Sequence, residues 1–236
     1  MQRPSVEHVP SNWKDPAARE AFRAELMARI PRWYSPWLHL ASPSLVGLGI
    51  AAACLALLHD VRLVELMTVP VVLLAANAFE WRVHRDLLHH RVRFAGLAVL
   101  YDRHTPELHR VFVTEDMAIR SPREFRLVLV PAYGIAGIAV ADLPLAAVLW
   151  LAGQHNVAAL FLATSLAYFA SYEMLHLSYH LAPDSLIGRN PLIRVLRRHH
   201  ATHHSPELMQ RWNFNVTLPL WDWVRGTIYR GDKGAR

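Results

Sequence analysis

The sequence predicts an all-α integral membrane protein, with about four transmembrane helices in two hairpins capped by a cytoplasmic helical domain carrying histidine boxes. Three observations lead there. Apolar residues make up 53% of the 236-residue chain, and they gather in long blocks. Most of the 15 histidines fall in four tight groups. Arginines crowd the segments that hold those groups.

Residues 1–37 read as a cytoplasmic and interfacial lead-in, and residues 38–236 as one membrane-embedded domain. Within the lead-in, Ala17, Phe22, Leu26 and Ile30 recur at helical spacing, which predicts a membrane-surface helix over Pro16–Ile30. Trp33, Tyr34 and Trp37 follow where an aromatic belt belongs. Spans are expected at about 38–58, 63–82, 127–151 and 156–175. Leu38–Leu58 has no formal charge when His39 is neutral, and is long enough to cross a bilayer. Leu66–Phe79 is shorter and extends to Leu63 and Trp81. Leu127–Leu151 is interrupted by Asp142 and Pro144, and Asn156–Tyr172 runs directly into the third histidine group.

Four crossings place residues 84–126 and 176–236 on the same side as the amino terminus. The opposite connections, His59–Arg62 and Gly153–Asn156, carry only Arg62 as a basic residue. Arg19, Arg23, Arg29 and Arg32, then Arg85 to Arg126, then Arg189, Arg194, Arg197 and Arg198 lie on the histidine side. The positive-inside rule puts that side, with both termini, in the cytoplasm, and a bacterial-type inner membrane suits it.

A net charge of +6 would suit nucleic acid, but these arginines adjoin apolar spans and read as headgroup anchors, so no nucleic-acid partner is expected. The first apolar block starts too late and runs too long for a signal peptide. Cys54 is the only cysteine, which excludes an internal disulfide and a thiolate metal site. No haem-attachment motif, dinucleotide fingerprint or iron–sulfur cysteine set is present.

The four groups are His84/His89/His90, His104/His109, His176/His180 and His199/His200/His203/His204. On a helix, positions three or four apart share a face, so His176 and His180 project together. By the same rule His200, His203 and His204 are expected to align as three ligands of one metal. His84 and His89, like His104 and His109, are five apart, and sharing a metal there needs a local distortion of the helix. Nine histidines are therefore the candidate metal ligands: His84, His89, His104, His109, His176, His180, His200, His203 and His204. One tetrahedral metal takes about four, so nine suit two metals. His90 and His199 are open between ligand, outer partner and bystander. Glu80 and Glu173, one turn before His84 and His176, are expected to accept ring N–H groups. The isolated His8, His39, His59 and His155 read as surface or interfacial residues. Imidazole alone leaves zinc, copper, nickel and iron open.

Glu80–His89, Tyr172–His180 and His200–His204 together resemble the histidine boxes of the fatty acid hydroxylase superfamily, which includes sterol desaturases and carotenoid hydroxylases. The tail Asn213–Thr227, containing Asp222, resembles the family's ending. One position departs, because Leu108 precedes His109 where the family usually has a His-His pair. The resemblance implies a centre of two iron ions, whose imidazole sites zinc can also take, and O₂-dependent hydroxylation or desaturation of an unactivated C–H bond in lipid biosynthesis. The fatty acyl, sterol-like or carotenoid substrate would enter from the bilayer, past span residues such as Phe161, Tyr168 and Phe169. Electrons must come from a separate reductase with a ferredoxin- or cytochrome-type carrier. A membrane metal-binding or transport protein, or a catalytically inactive structural relative, is the alternative.

Overall fold

A computed structural model describes residues 11–131 and 133–231; His8 lies outside them. Among the described residues the chain is all-helical, with only an isolated bridge between Val113 and Asp116. Four helices are long and apolar enough to cross a membrane: α2 (Pro36–Ala56), α3 (Leu63–Leu88), α5 (Gly134–Leu151) and α6 (His155–Tyr179). Smaller helices surround them: α1 (Pro16–Arg29), α4 (Ala95–Arg103), α7 (Pro191–His203) and α8 (Leu220–Arg225).

Three helices begin the same way. Asp15, Ser35 and Asn190 each accept a backbone N–H from the first turn, and Pro16, Pro36 and Pro191 follow them. A capping oxygen satisfies an orphan donor, and proline at the first helical position loses no hydrogen bond.

Helix α6 is the hub, packing against α2, α3 and α5. Its seam with α2 is built from small residues, Ala51, Cys54, Ala159 and Ala163. Such residues let helix backbones approach where the bilayer supplies no hydrophobic drive. At the end of the bundle away from the histidine groups, Asn156 clamps the α2–α3 turn through His59 and Glu65. His59 and His155 are exposed, as expected.

Three expectations need correction. The third span starts at Gly134 rather than at residue 127: the chain is non-helical over residues 129–131, where the Val130 N–H goes to Glu173 and Pro131 has none to give. Leu127, Val128 and Leu129 instead join a buried cluster with Leu108, Val111, Phe112 and Leu177. Helix α1 does more than lie on a surface: its Leu26 enters that cluster, and Arg23 is buried against Phe112, its guanidinium 4.9 Å from the ring centre. His39 is buried rather than interfacial, joining Tyr34 Oη at 2.8 Å to the Val130 carbonyl at 2.9 Å.

The turn between α6 and α7 passes over itself at Gly188, where a Cβ would lie 2.3 Å from the Ala182 carbonyl oxygen. Backbone cannot yield cheaply there. Gly188→Ala is expected to cost about 1–3 kcal/mol, read as a lower thermal midpoint in detergent.

Candidate metal centre

The five-residue spacings are accommodated by two π-helical turns. α3 ends in one, His84–Leu88, and α4 runs into another, His104–Leu108. A π-turn closes i→i+5 bonds, as from His109 N–H to the His104 carbonyl. Positions five apart thereby come onto one face. His84, His89, His104 and His109 meet in a single group, which His203 of α7 completes. His176, His180, His200 and His204 form the second group. Within each group the nearest ligand atoms all lie within 4.8 Å of one another, and every ring is buried. The two groups touch where His109 stacks on His204, with ring centres 4.1 Å apart.

The expectation that His200, His203 and His204 serve one metal is wrong. His203 and His204 stand about 100° apart around the helix, so α7, lying between the groups, sends His203 to the first and His200 and His204 to the second. His90 belongs to neither group; its Nδ1 contacts the Arg85 carbonyl oxygen at 2.8 Å. The groups are therefore unequal, five against four. Leu108 does not join either; it is buried in the apolar cluster beside Leu177 and Phe112.

The outer partners also differ from expectation. Glu80 bonds no ring. It accepts the backbone N–H groups of Val216 and Thr217 and the hydroxyls of Thr217 and Tyr168. Tyr168 is thus tied by its hydroxyl to this cluster. Glu173 accepts the Val130 N–H at 3.0 Å and likewise contacts no ring nitrogen. Backbone carbonyls do the orienting instead. His84 Nδ1 donates to Phe214 O, His203 Nδ1 to Trp212 O at 2.8 Å, His204 Nδ1 to Phe112 O at 2.6 Å and His180 Nδ1 to Met117 O at 2.9 Å. Thr105 spends its only hydroxyl hydrogen on Leu88 O, so it accepts from His89 Nδ1 at 3.1 Å. Carbonyl acceptors carry no sequence signature; the only clue was the tail Asn213–Thr227. His199 is no member of either group; its Nε2 bonds Asp222 at 3.0 Å.

These bonds fix tautomers. A neutral imidazole that donates through Nδ1 keeps a lone pair on Nε2. His89 and His203 then present two acceptors to each other at 2.9 Å, with no proton between them. His84–His104 at 2.9 Å, His104–His109 at 3.1 Å and His200–His204 at 3.0 Å repeat the close Nε2 approach. Between His89 and His203, where both Nδ1 atoms already donate, the facing nitrogens need a cation. Protonation is a poor answer, since burial, with neighbouring rings adding to it, holds His89, His104, His109, His180, His200, His203 and His204 well below the ordinary histidine range. The second group has further unpaired ring nitrogens, both on His176, Nε2 of His180 and Nδ1 of His200. An all-imidazole donor set of this kind fits a transition metal, and the two groups can hold metal ions.

The comparison that decides the family is a match of the fatty acid hydroxylase model to residues 69–227. The chain belongs to the fatty acid hydroxylase family. Members are generally oxidoreductase hydroxylases, and the match spans all nine grouped histidines and the tail. Comparisons with curated proteins and with solved structures gave no match. With four bilayer-length helices, the family places the chain among membrane proteins.

Depressed histidine pKa values also set a pH dependence for the metal-free fold. Above the unfolded value of about 6.5 the rings are neutral in both states and contribute no slope. Below it the unfolded chain takes up protons that the buried rings refuse, so stability falls with pH, by up to about 1.4 kcal/mol per pH unit for each such ring. Through these rings, the thermal midpoint of metal-free protein should drop steeply as the pH falls from about 6.5 toward 5.5.

Proposed function

We propose that this protein is a membrane-bound di-iron oxygenase that hydroxylates or desaturates an unactivated C–H bond of a lipid. The observation that carries this is the pair of buried histidine groups, with the Nε2 lone pairs of His89 and His203 facing one another in the first. The family match supports iron and oxygenase chemistry over other imidazole-bound metals. Two bound irons would supply O₂ activation and attack on the C–H bond. The nine histidines hold them, the backbone carbonyls fix ring orientation, and buried Phe112, Leu88 and Phe214 exclude water. Placement of both groups at the end of the bundle where α3 and α6 finish, rather than along the spans, suits a lipid reacting near the membrane surface better than ion transport.

In this reading the histidine side faces the cytoplasm of a bacterial-type inner membrane. Electrons arrive from a separate carrier, and exposed Arg189, Arg194 and Arg198 offer an acidic one a docking charge. The test is lipid mass spectrometry. Reduced, iron-loaded protein is given O₂, a reductase with ferredoxin, and a panel of fatty acyl, sterol-like and carotenoid lipids. A product heavier by one oxygen or lighter by two hydrogens, absent with His89→Ala, is expected. Unchanged lipids across the panel would count against the oxygenase.

A further inference from the structure

We propose that the two histidine groups are oriented by two separate straps of backbone, so that either metal can be lost without the other. This goes beyond the di-metal reading but rests on it. The first strap is the tail from Trp212 to Thr227. Its carbonyls at Trp212 and Phe214 receive His203 and His84 of the first group. Two buried carboxylates hold it. Asp222 Oδ1 accepts Phe214 N–H at 3.0 Å, and Oδ2 accepts Asn215 N–H at 2.8 Å and His199 Nε2 at 3.0 Å. Glu80 of α3 accepts Val216 N–H and Thr217 N–H, and Asn77 donates to the Leu218 carbonyl at 2.9 Å. α3 therefore supplies both a ligand, His84, and the clamp on the strap that orients it.

The second strap is Phe112 to Ile119. Its carbonyls at Phe112 and Met117 receive His204 and His180 of the second group. Buried Arg23 of α1 holds this loop: Nη2 donates to Ala118 O at 3.2 Å, and the guanidinium pairs with Glu124 at 3.3 Å and Asp116 at 3.5 Å. Its guanidinium also lies over the ring of Phe112, the residue whose carbonyl His204 uses. Among the described residues, each of these four ring-to-carbonyl bonds stays within its own group and strap. Asp222, Glu80 and Arg23 are thus positioning residues, acting on the metals through backbone.

Asp222→Asn is the sharpest perturbation. Each carboxylate oxygen faces a backbone N–H, so either orientation of the amide sets an NH₂ against a donor. Glu80→Gln is milder, since its NH₂ can turn toward the Thr217 and Tyr168 hydroxyls. Arg23→Lys keeps the charge but loses the fork that reaches Ala118 and both carboxylates.

The experiment is iron per chain in detergent-purified protein after dialysis against a graded chelator, with circular dichroism to confirm the helical fold. Outer partners of metal ligands are worth about 10–100-fold in affinity. Wild type should hold about two irons. Asp222→Asn and Arg23→Lys should each fall to about one, with Glu80→Gln intermediate. Pairing Asp222→Asn with His203→Ala should leave about one iron, because both act on the same group, whereas pairing it with His176→Ala should leave none. A folded Asp222→Asn protein that loses both irons together, or keeps both at wild-type affinity, overturns separate straps. A wild type that never holds two irons overturns the di-metal reading itself.

Discussion

His89→Ala should empty the first histidine group and abolish lipid oxidation. His89 is the central ring of that group, with ring contacts to His84, His104, His109 and His203 at 4.8–5.1 Å between centres. Its Nε2 faces His203, and Thr105 fixes its other nitrogen. Removing it takes away a ligand and leaves Thr105 without its ring partner. Outer-partner changes already cost about 10–100-fold, so a lost ligand should exceed about a hundredfold in iron affinity. Iron content and product yield should fall together, with helicity kept. A variant that keeps product formation within a few-fold of wild type would remove His89 from the centre.

The second large effect is expected at Phe112. It is fully buried and lies between the Arg23 guanidinium and the His180 ring, 4.9 and 4.8 Å away. Phe112→Ala should open a cavity in the cluster of Leu26, Leu108 and Leu177 and cost about 3–5 kcal/mol. The same cavity loosens the carbonyl that receives His204, so thermal stability and second-group metal should both decline. Phe112→Leu, which fills most of the space, should recover much of each. Loss of stability with full metal retention would separate the core from the centre.

Much of this was legible because it rests on spacing. Apolar blocks of bilayer length gave four spans within a few residues, except at the third, which starts at Gly134 after the non-helical residues 129–131. The nine histidines stood out in the sequence, and the i, i+5 pairs signalled a distorted helix that proved to be two π-turns. Assignment between groups was less legible. A face rule treats α7 as meeting one neighbour, but α7 lies between two, and its histidines divide. Glu80 and Glu173 were placed by proximity in sequence, while their actual partners, Val216, Thr217 and Val130, come from distant segments. The orienting carbonyls belong to no residue type and leave no trace in composition. Leu108 was visible as a departure, but only the fold shows its side chain in the apolar core and the groups left at five and four.

The most direct measurement is the metal content of protein purified in detergent under reducing conditions, with Mössbauer spectroscopy on iron-57-enriched samples. The proposed di-iron centre predicts about two irons per chain, in two unequal environments matching five and four imidazoles. Chains that fold fully yet bind no iron, or bind a single one with both groups intact, would contradict a di-iron centre.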